Sequence, residues 1–394
     1  MRYLRVSKGI ERKTCVLRLD LNTPDGELKN SLRLQRAVPT IRYLLERGCR
    51  VVILSHRGRP EGKLKVFAGD RPAADGKSKK LKVDRDVSLK HAVRALGKLV
   101  GRNITLFGHF DFEKIKAVID RSNPGTVFAL ENIRLLDGEE RNSTALAKKL
   151  ARVGDFFVND AFAASHRAHA SVDAITRFLV SYAGLSLEEE LKACEKVMRH
   201  PRQPLVVVIG GAKVSDKIGV VENFGKRASA ILVGGGTANA FLTARGLPVG
   251  ESVYERRAVT KASNLLKSCP LLVLPTDVVV RDKRIVDIGV ETSRQFSRII
   301  RRAGTVVWSG PMGIAEKELS ARGTLEIARA IARSKAFSLA GGGQTTAFII
   351  KKGLFKRFSF LSTGGGALLE YLAGKKLPGL EALATSRAKP LRSK

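Results

Sequence analysis

Lys213 and Lys217, four residues apart in the segment GGAKVSDKI, carry the most pointed chemistry in the sequence. If this segment opens a helix, the spacing places both ammonium groups on one face. Like charges there oppose each other and the positive end of the helix dipole, so a phosphate bound between them explains the pair better than surface decoration does. The segment is one of a set. PLVVVIGGAK, ASAILVGGGTAN, AFSLAGGGQTT and FSFLSTGGGA each run from an apolar, strand-like stretch into glycine. Glycine lets backbone N–H groups approach an anion closely, and a following helix start adds its partial positive charge. A single such turn is ordinary turn chemistry, whereas four in one half of the chain point to a nucleotide phosphate site. None has the Walker A spacing or a complete G-x-G-x-x-G.

The first half carries different chemistry. Arg33, His56, Arg59, Arg134 and Arg167 fall at or near the ends of strand-like runs, together with Asp20 and Asn22. Guanidinium forks suit phosphate and carboxylate, and Asp or Asn suits a hydroxyl, so a small, multiply anionic, hydroxylated ligand fits. His166 and His169, three apart, would share a helix face, but no carboxylate or cysteine completes a metal set, and core or capping roles are expected. GDRPAADGKS (69–78) ends like a P-loop yet has six residues between its glycines and no buried strand before it, so it is set aside.

The elements that must position these groups alternate between β-branched runs and helical patterns, which predicts parallel sheets with crossover helices. In the first half CVLRLDLNTP, RVVILSHRGRP, TVFALENIRLL and DFFVNDAFAASHRAHAS end in Asp, Asn, His or Arg, so the two halves predict two sites outside the carboxyl ends of two sheets. A chain of 394 residues suits two domains of about 100–200 residues each. The expected divisions are 1–175 with the tail 380–394, a connecting segment 176–203, and 204–379. LSLEEELKACEKVMRH is the expected connecting helix, capped by Ser186 with Glu189 three residues on. Residues 61–82 read as an exposed loop.

Hydrophobic residues at 44% and charged residues at 27% exclude collagen-like and wholly disordered classes. No stretch reaches the roughly 18 apolar residues of a membrane helix, and the opening MRYLRVSKGIERK lacks an apolar signal centre, so a cytoplasmic location is expected. Four widely spaced cysteines read as reduced core thiols. Lys and Arg total 71 against 37 Asp and Glu, a net +34, which would attract polyanions. The basic residues are nevertheless spread along the chain. In TSRQFSRIIRRAG, for instance, Arg294, Arg298, Arg301 and Arg302 fall between the core-spaced Phe296, Ile299, Ile300 and Ala303 as a solvated face. Aromatic content is 6%, and no RNA-binding signature is present.

RLDLN, SHRGRP, LENIRLLDGEERN, VNDAFAASHRAHAS, GGAKVSDKI, WSGPMGIAE, GGGQTTA and STGGGALLEYLAGKKLPGLEAL together resemble phosphoglycerate kinases, in that family's order and through most of the chain. The resemblance implies an α/β protein of two Rossmann-like lobes, each a parallel sheet with helices on both faces, joined by a hinge. It also implies a monomer that transfers a phosphoryl group reversibly between 1,3-bisphosphoglycerate with ADP and 3-phosphoglycerate with ATP, with Mg2+ accompanying the nucleotide and lobe closure assembling the site. By it, Asp20, Leu21, Asn22, Arg33, His56, Arg57, Gly58, Arg59, Arg134 and Arg167 hold the triose. Gly211, Ala212, Lys217, Ser309, Glu316 at the ribose, Gly341, Gly342, Gly343, Gln344 and Thr345 hold the nucleotide. Arg33, Lys213, Lys217, Gly365 and Gly366 surround the transferred group. Two positions depart from the family's pattern: Ser309 replaces an amide that contacts a nucleotide phosphate, and Gln344 stands where many members have the Asp that holds magnesium. No direct protein ligand to the metal is therefore assigned. The competing expectations are a weakly active or inactive member of the family, motivated by these two positions, and a basic nucleic-acid-binding protein. The tail ATSRAKPLRSK is expected either to pack on the first lobe or to remain disordered.

Overall fold

The computed structural model describes residues 1–60 and 83–386. The expected loop at 61–82, with its P-loop-like GDRPAADGKS, and the last residues of the tail lie outside the described residues. Strands follow in chain order as β1 (Thr14–Leu19), β2 (Arg50–Leu54), β3 (Ile104–Phe107), β4 (Val127–Leu130), β5 (Phe156–Asp160), β6 (Val180–Ala183), β7 (Leu205–Ile209), β8 (Ala230–Val233), β9 (Leu272–Val273), β10 (Val278–Arg281), β11 (Arg284–Ile288), β12 (Thr305–Ser309), β13 (Phe337–Gly341) and β14 (Phe360–Leu361). They form two six-stranded sheets, β3-β4-β2-β1-β5-β6 and β14-β13-β12-β7-β8-β9, in which every pairing is parallel. Central strands such as TCVLRL and LVVVI are buried throughout, as expected where helices cover both faces of a parallel sheet.

The chain divides into two compact units, Met1–Glu189 with the segment from Leu377, and Glu190–Lys376. Within the first, the strand order runs outward from β1 through β2 and then turns back to β5 on the other side. Within the second, it runs from β7 to β9, then returns to β12 beside β7 and continues to β14. Each reversal opens a crevice at the carboxyl ends of two adjacent strands, β1 and β5 in one sheet, β7 and β12 in the other, the place where such folds take ligands.

Three local expectations are corrected. The helix Leu185–Arg199 is not capped by Ser186, which lies inside it and donates to the Arg36 carbonyl; instead the buried Asp160 carboxylate at the end of β5 accepts the Leu187 N–H at 2.9 Å. A carboxylate distant in sequence thus takes the capping role. His166 and His169 do not share a helix face, because their segment is a run of turns. β10 and β11 form an unexpected antiparallel hairpin whose tip residues Asp282 and Lys283 both have positive φ, the backbone of a type I′ turn built without its usual glycine. All four cysteines are free and buried.

Candidate functional site

In the first unit the β1 and β2 exits are tied together by Ser55, whose Oγ accepts the Leu21 N–H at 2.9 Å and donates to the Leu19 carbonyl at 2.8 Å. This fixes the turn that carries Asp20, Leu21 and Asn22. Asp20 accepts the Asn22 N–H at 3.1 Å and pairs with Arg33, and the Asn22 side-chain oxygen accepts the Gly58 N–H at 3.0 Å. Arg33 stands in the first turn of the helix Leu32–Glu46, where Asp20 offsets the unfavourable dipole. Arg134 reaches the Gly58 carbonyl at 2.7 Å, and Arg167 donates to His166 Nε2 at 3.1 Å. Arg57 turns elsewhere: its guanidinium is buried against Asp25 at 2.7 Å and the Ser88 carbonyl at 3.1 Å. Arg59 is exposed.

The core of this cluster is a residue that sequence reasoning missed. Arg18, inside β1 and 1% exposed, donates to His56 Nδ1 at 3.0 Å and to Ser171 Oγ at 3.0 Å. Ser171 in turn donates through its N–H and hydroxyl to the buried Glu139, at 3.0 and 2.6 Å. Because Arg18 occupies Nδ1 as donor, the His56 proton sits on Nε2. Burial first, then Arg18, Arg134, Arg167 and Arg33, hold His56 well below the usual imidazole range. The same two causes push His169 down to about 4, and burial with Arg167 lowers Arg134 to about 10. Burial is the larger cause throughout, and Arg18, Arg134 and Arg167 recur as neighbouring charges that act on both histidines. The available sequence signal was an arginine in the middle of the apolar run CVLRLDL.

In the second unit the crevice is built from backbone in close approach. Gly210 N–H donates to the Ser309 carbonyl at 2.9 Å, and Gly211 N–H to the Pro311 carbonyl at 2.7 Å, so the β7 and β12 exits touch. Gly211 has φ +76°, and a Cβ on Gly235 would meet the Gly211 nitrogen at 2.7 Å. Gly310 N–H donates to Thr345 Oγ1 at 2.9 Å, which ties the start of the helix Gly343–Lys351 to this turn below Gly341 and Gly342. Ser309 is buried at the end of β12. Beside these turns lies a cleft of about 240 Å³ lined by Gly211, Ala212, Gly236, Asn239, Glu316 and Gln344 among others. The buried Asp287, also lining it, accepts the Gly323 N–H at 2.7 Å.

Lys213 and Lys217 do not share a helix face. The helix begins at Ser215, so Lys213 precedes it and is exposed, while Lys217 is 7% exposed with its ammonium donating to the Gly210 carbonyl. Glu255 satisfies the Ser215 N–H at 2.8 Å in place of a local cap. Desolvation lowers Lys217 to about 8 against the partial support of Asp216 and Glu255. Its charge is therefore present at neutral pH and lost near pH 8 in the ligand-free protein. ADP affinity measured calorimetrically is expected to fall above that pH, approaching about tenfold per pH unit. A flat profile to pH 10 would remove Lys217 from phosphate contact.

Gly365, at φ +52° with open space where a Cβ would stand, and Gly366 begin the helix Gly366–Leu372. Thr363 anchors the approach through its N–H and hydroxyl on Glu190, at 2.7 and 3.0 Å. Gln344 donates its amide to Glu316 at 2.7 Å. Among the described residues no group of three or more His, Cys, Asp or Glu could hold a metal ion. The donor set among the described residues does not fit a protein-caged cation.

A guanidinium cluster at the switch point of one parallel sheet and a glycine-lined, lysine-bearing crevice at that of another define a two-unit α/β protein equipped to handle phosphoryl groups. The comparisons make this particular. The family model described as phosphoglycerate kinase matches residues 7–375. Similar curated proteins include the phosphoglycerate kinases of Herpetosiphon aurantiacus, 39% identical over 94% of this chain and 96% of that one, and of Thermomicrobium roseum, 39% identical over 95% and 97%. Among solved structures, the Pyrococcus horikoshii phosphoglycerate kinase aligns with a TM-score of 0.83 at 32% identity over 98% of this chain and 99% of that one. The Coxiella burnetii structure aligns with a TM-score of 0.78 at 34% identity over 97% and 98%. The chain belongs to the phosphoglycerate kinase family and is a kinase of the phosphotransferase class. The expectation of a nucleic-acid-binding protein is not favoured.

Proposed function

We propose that the carboxylate of 3-phosphoglycerate is the phosphoryl acceptor and ATP the donor, with the reaction running reversibly through 1,3-bisphosphoglycerate and ADP. The carboxylate is ionised at neutral pH, so no general base is needed and catalysis consists of positioning and charge stabilisation. Asp20, the backbone at Leu21, Asn22, Arg33, His56, Gly58, Arg59, Arg134 and Arg167 form the triose site of the lobe 1–175 with the tail 380–394, while Arg57 braces it from outside through Asp25 and the Ser88 carbonyl. His56 donates from Nε2 as a neutral imidazole, which leaves the charge of the site to the arginines. Gly211, Ala212, Lys217, Ser309 and Gly341 through Thr345 receive the nucleotide phosphates in the lobe 204–379, and Glu316, oriented by the Gln344 amide, receives the ribose hydroxyls. Of the expected connecting segment 176–203, β6 belongs to the first sheet and the helix Leu185–Arg199 carries the chain on to the second unit. Arg33, Lys213, Lys217 and the N–H groups of Gly365 and Gly366 stabilise charge on the group in flight. Transfer requires donor and acceptor to meet with water excluded, since water would hydrolyse an acyl phosphate, so closure of the lobes belongs to the cycle.

The reading rests above all on Lys217, an ammonium held in a desolvated position beside the glycine crevice. Mg2+ arrives with the nucleotide, and no protein ligand is assigned to it. The protein acts as a cytoplasmic monomer with no specific nucleic-acid partner and no membrane association; among the described residues no helix is long and apolar enough to cross a membrane. The test is a coupled assay with purified protein, 3-phosphoglycerate, ATP and magnesium. Turnover that saturates in both substrates is expected, and its absence at every magnesium concentration would leave an inactive family member. In the same assay Gln344→Asp is expected to lower the half-saturating magnesium concentration several-fold and to raise KM for the nucleotide, because a carboxylate is a far better magnesium ligand than an amide but repels Glu316.

A further inference from the structure

The arginines of TSRQFSRIIRRAG were expected to be a solvated face, and the structure gives that face a counterpart. The helices Val290–Arg301 and Arg322–Arg333 each precede a strand of the second sheet, β12 and β13, and pack side by side. Arg294, Arg298 and Arg301 follow at steps of four and three along the first helix, and Arg322, Arg329 and Arg333 follow one face of the second, so both form stripes at helical spacing. The stripes line a single groove of about 1170 Å³ that holds nine arginine and lysine side chains against three glutamates. Arg294 is paired with Glu291 at 2.6 Å and Arg329 with Glu326 at 3.0 Å. Arg281, Arg298, Arg301, Arg322, Arg333 and Lys351 are exposed and have no partner among the described residues. Helix C-termini favour arginine in their last turn, which accounts for Arg298, Arg301 and Arg333 singly. It does not account for Arg322 at the opposite end, nor for the gathering of so many like charges around one groove, an arrangement that an anion bound there would relieve.

The chemistry of the lining narrows the occupant. Phe348 is the one aromatic residue in it and is 4% exposed, so there is no platform on which bases could stack, as single-stranded nucleic acid binding requires. Cations contributed by both helices along one groove suit a thin chain charged along its whole length. We propose that this groove binds a linear inorganic polyphosphate, gripped through successive phosphates by Arg298, Arg301, Arg322 and Arg333.

The test uses the full chain and fluorescently labelled linear polyphosphate. Arg298→Ser, Arg301→Ser and Arg333→Ser are combined in one variant. A control combines Arg94→Ser, Arg102→Ser and Arg121→Ser, which are exposed and without partners among the described residues, so it removes the same net charge elsewhere. The groove variant is expected to bind at least tenfold more weakly at physiological salt, with a log affinity against log salt slope shallower by about 2, while the control changes less than twofold. Kinase turnover and thermal midpoint serve as folding checks and are expected to hold in both variants. Equal losses in the two variants would reduce the effect to diffuse attraction by the net charge and overturn the proposal. Groove-dependent binding of a single-stranded oligonucleotide without comparable polyphosphate binding would overturn it as well.

Discussion

Gly310→Ala is expected to lower the thermal midpoint by roughly 6–12 °C and to weaken ADP binding at least tenfold, read by calorimetry and titration. Gly310 has φ +92°, and a Cβ there would press on the Gly210 carbonyl and stand 2.9 Å from the Gly211 nitrogen. All these obstacles are backbone, so no side-chain rotation relieves them. The left-handed conformation alone costs about 1–2 kcal/mol for a residue with a Cβ, and overpacking adds about 1–3 kcal/mol. Relief requires separating the β7 and β12 exits, which breaks the bonds from Gly210 to Ser309 and from Gly211 to Pro311 and displaces the glycine turns proposed to receive the nucleotide. Gly246→Ala is the control. It shares the positive φ, at +78°, but has nothing within 4 Å of its Cβ position, so about 1 kcal/mol and unchanged ADP binding are expected. Equal effects of the two substitutions would mean that close approach contributes nothing.

What was legible in the sequence follows from what is local. β7, β8, β13 and β14 were read from apolar runs ending in glycine, and β1, β2, β4 and β5 from runs ending in Asp, Asn, His or Arg, because a buried parallel strand needs a continuous apolar stretch and its exit needs a turn. The two residues of β9 and the Asp-Lys tip of the β10–β11 hairpin carry no such signal. The Arg18–Ser171–Glu139 network was illegible for a different reason. Arg18 and Ser171 are 153 positions apart, and nothing local marks Glu139 as buried in LDGEERN. Pairing of a buried charge is decided by tertiary structure. Boundary error acts more subtly. Placing the start of the helix before Lys213 instead of at Ser215 put two lysines on one face, where the chain in fact separates an exposed from a buried one. The inference of an anion between two lysines on one helix face loses that premise, and what stands is a buried Lys217 whose ammonium donates to the Gly210 carbonyl.

That placement makes opposite signs the expected outcome for Lys217→Met: kcat lower by about 10³, thermal midpoint at pH 7 unchanged or higher. Burial holds the lysine near 8 in place of 10.5, so keeping it charged at neutral pH costs the folded state about 3 kcal/mol. Methionine fills similar volume without a charge to desolvate, and the Gly210 carbonyl it leaves still has Thr237 Oγ1 at 3.4 Å. A structural lysine would behave differently, with stability falling and kcat intact in the fraction that stays folded. The pH dependence separates the two accounts further. Between about pH 8 and 10.5 the unfolded chain holds a proton that the folded protein has released, so wild-type stability rises relative to the methionine variant across that interval. Chemical denaturation of both proteins at pH 7 and pH 10 measures the difference. A gap that stays constant would show that the ammonium is not desolvated, and the buried charge proposed for the phosphate site would have to be sought in another residue.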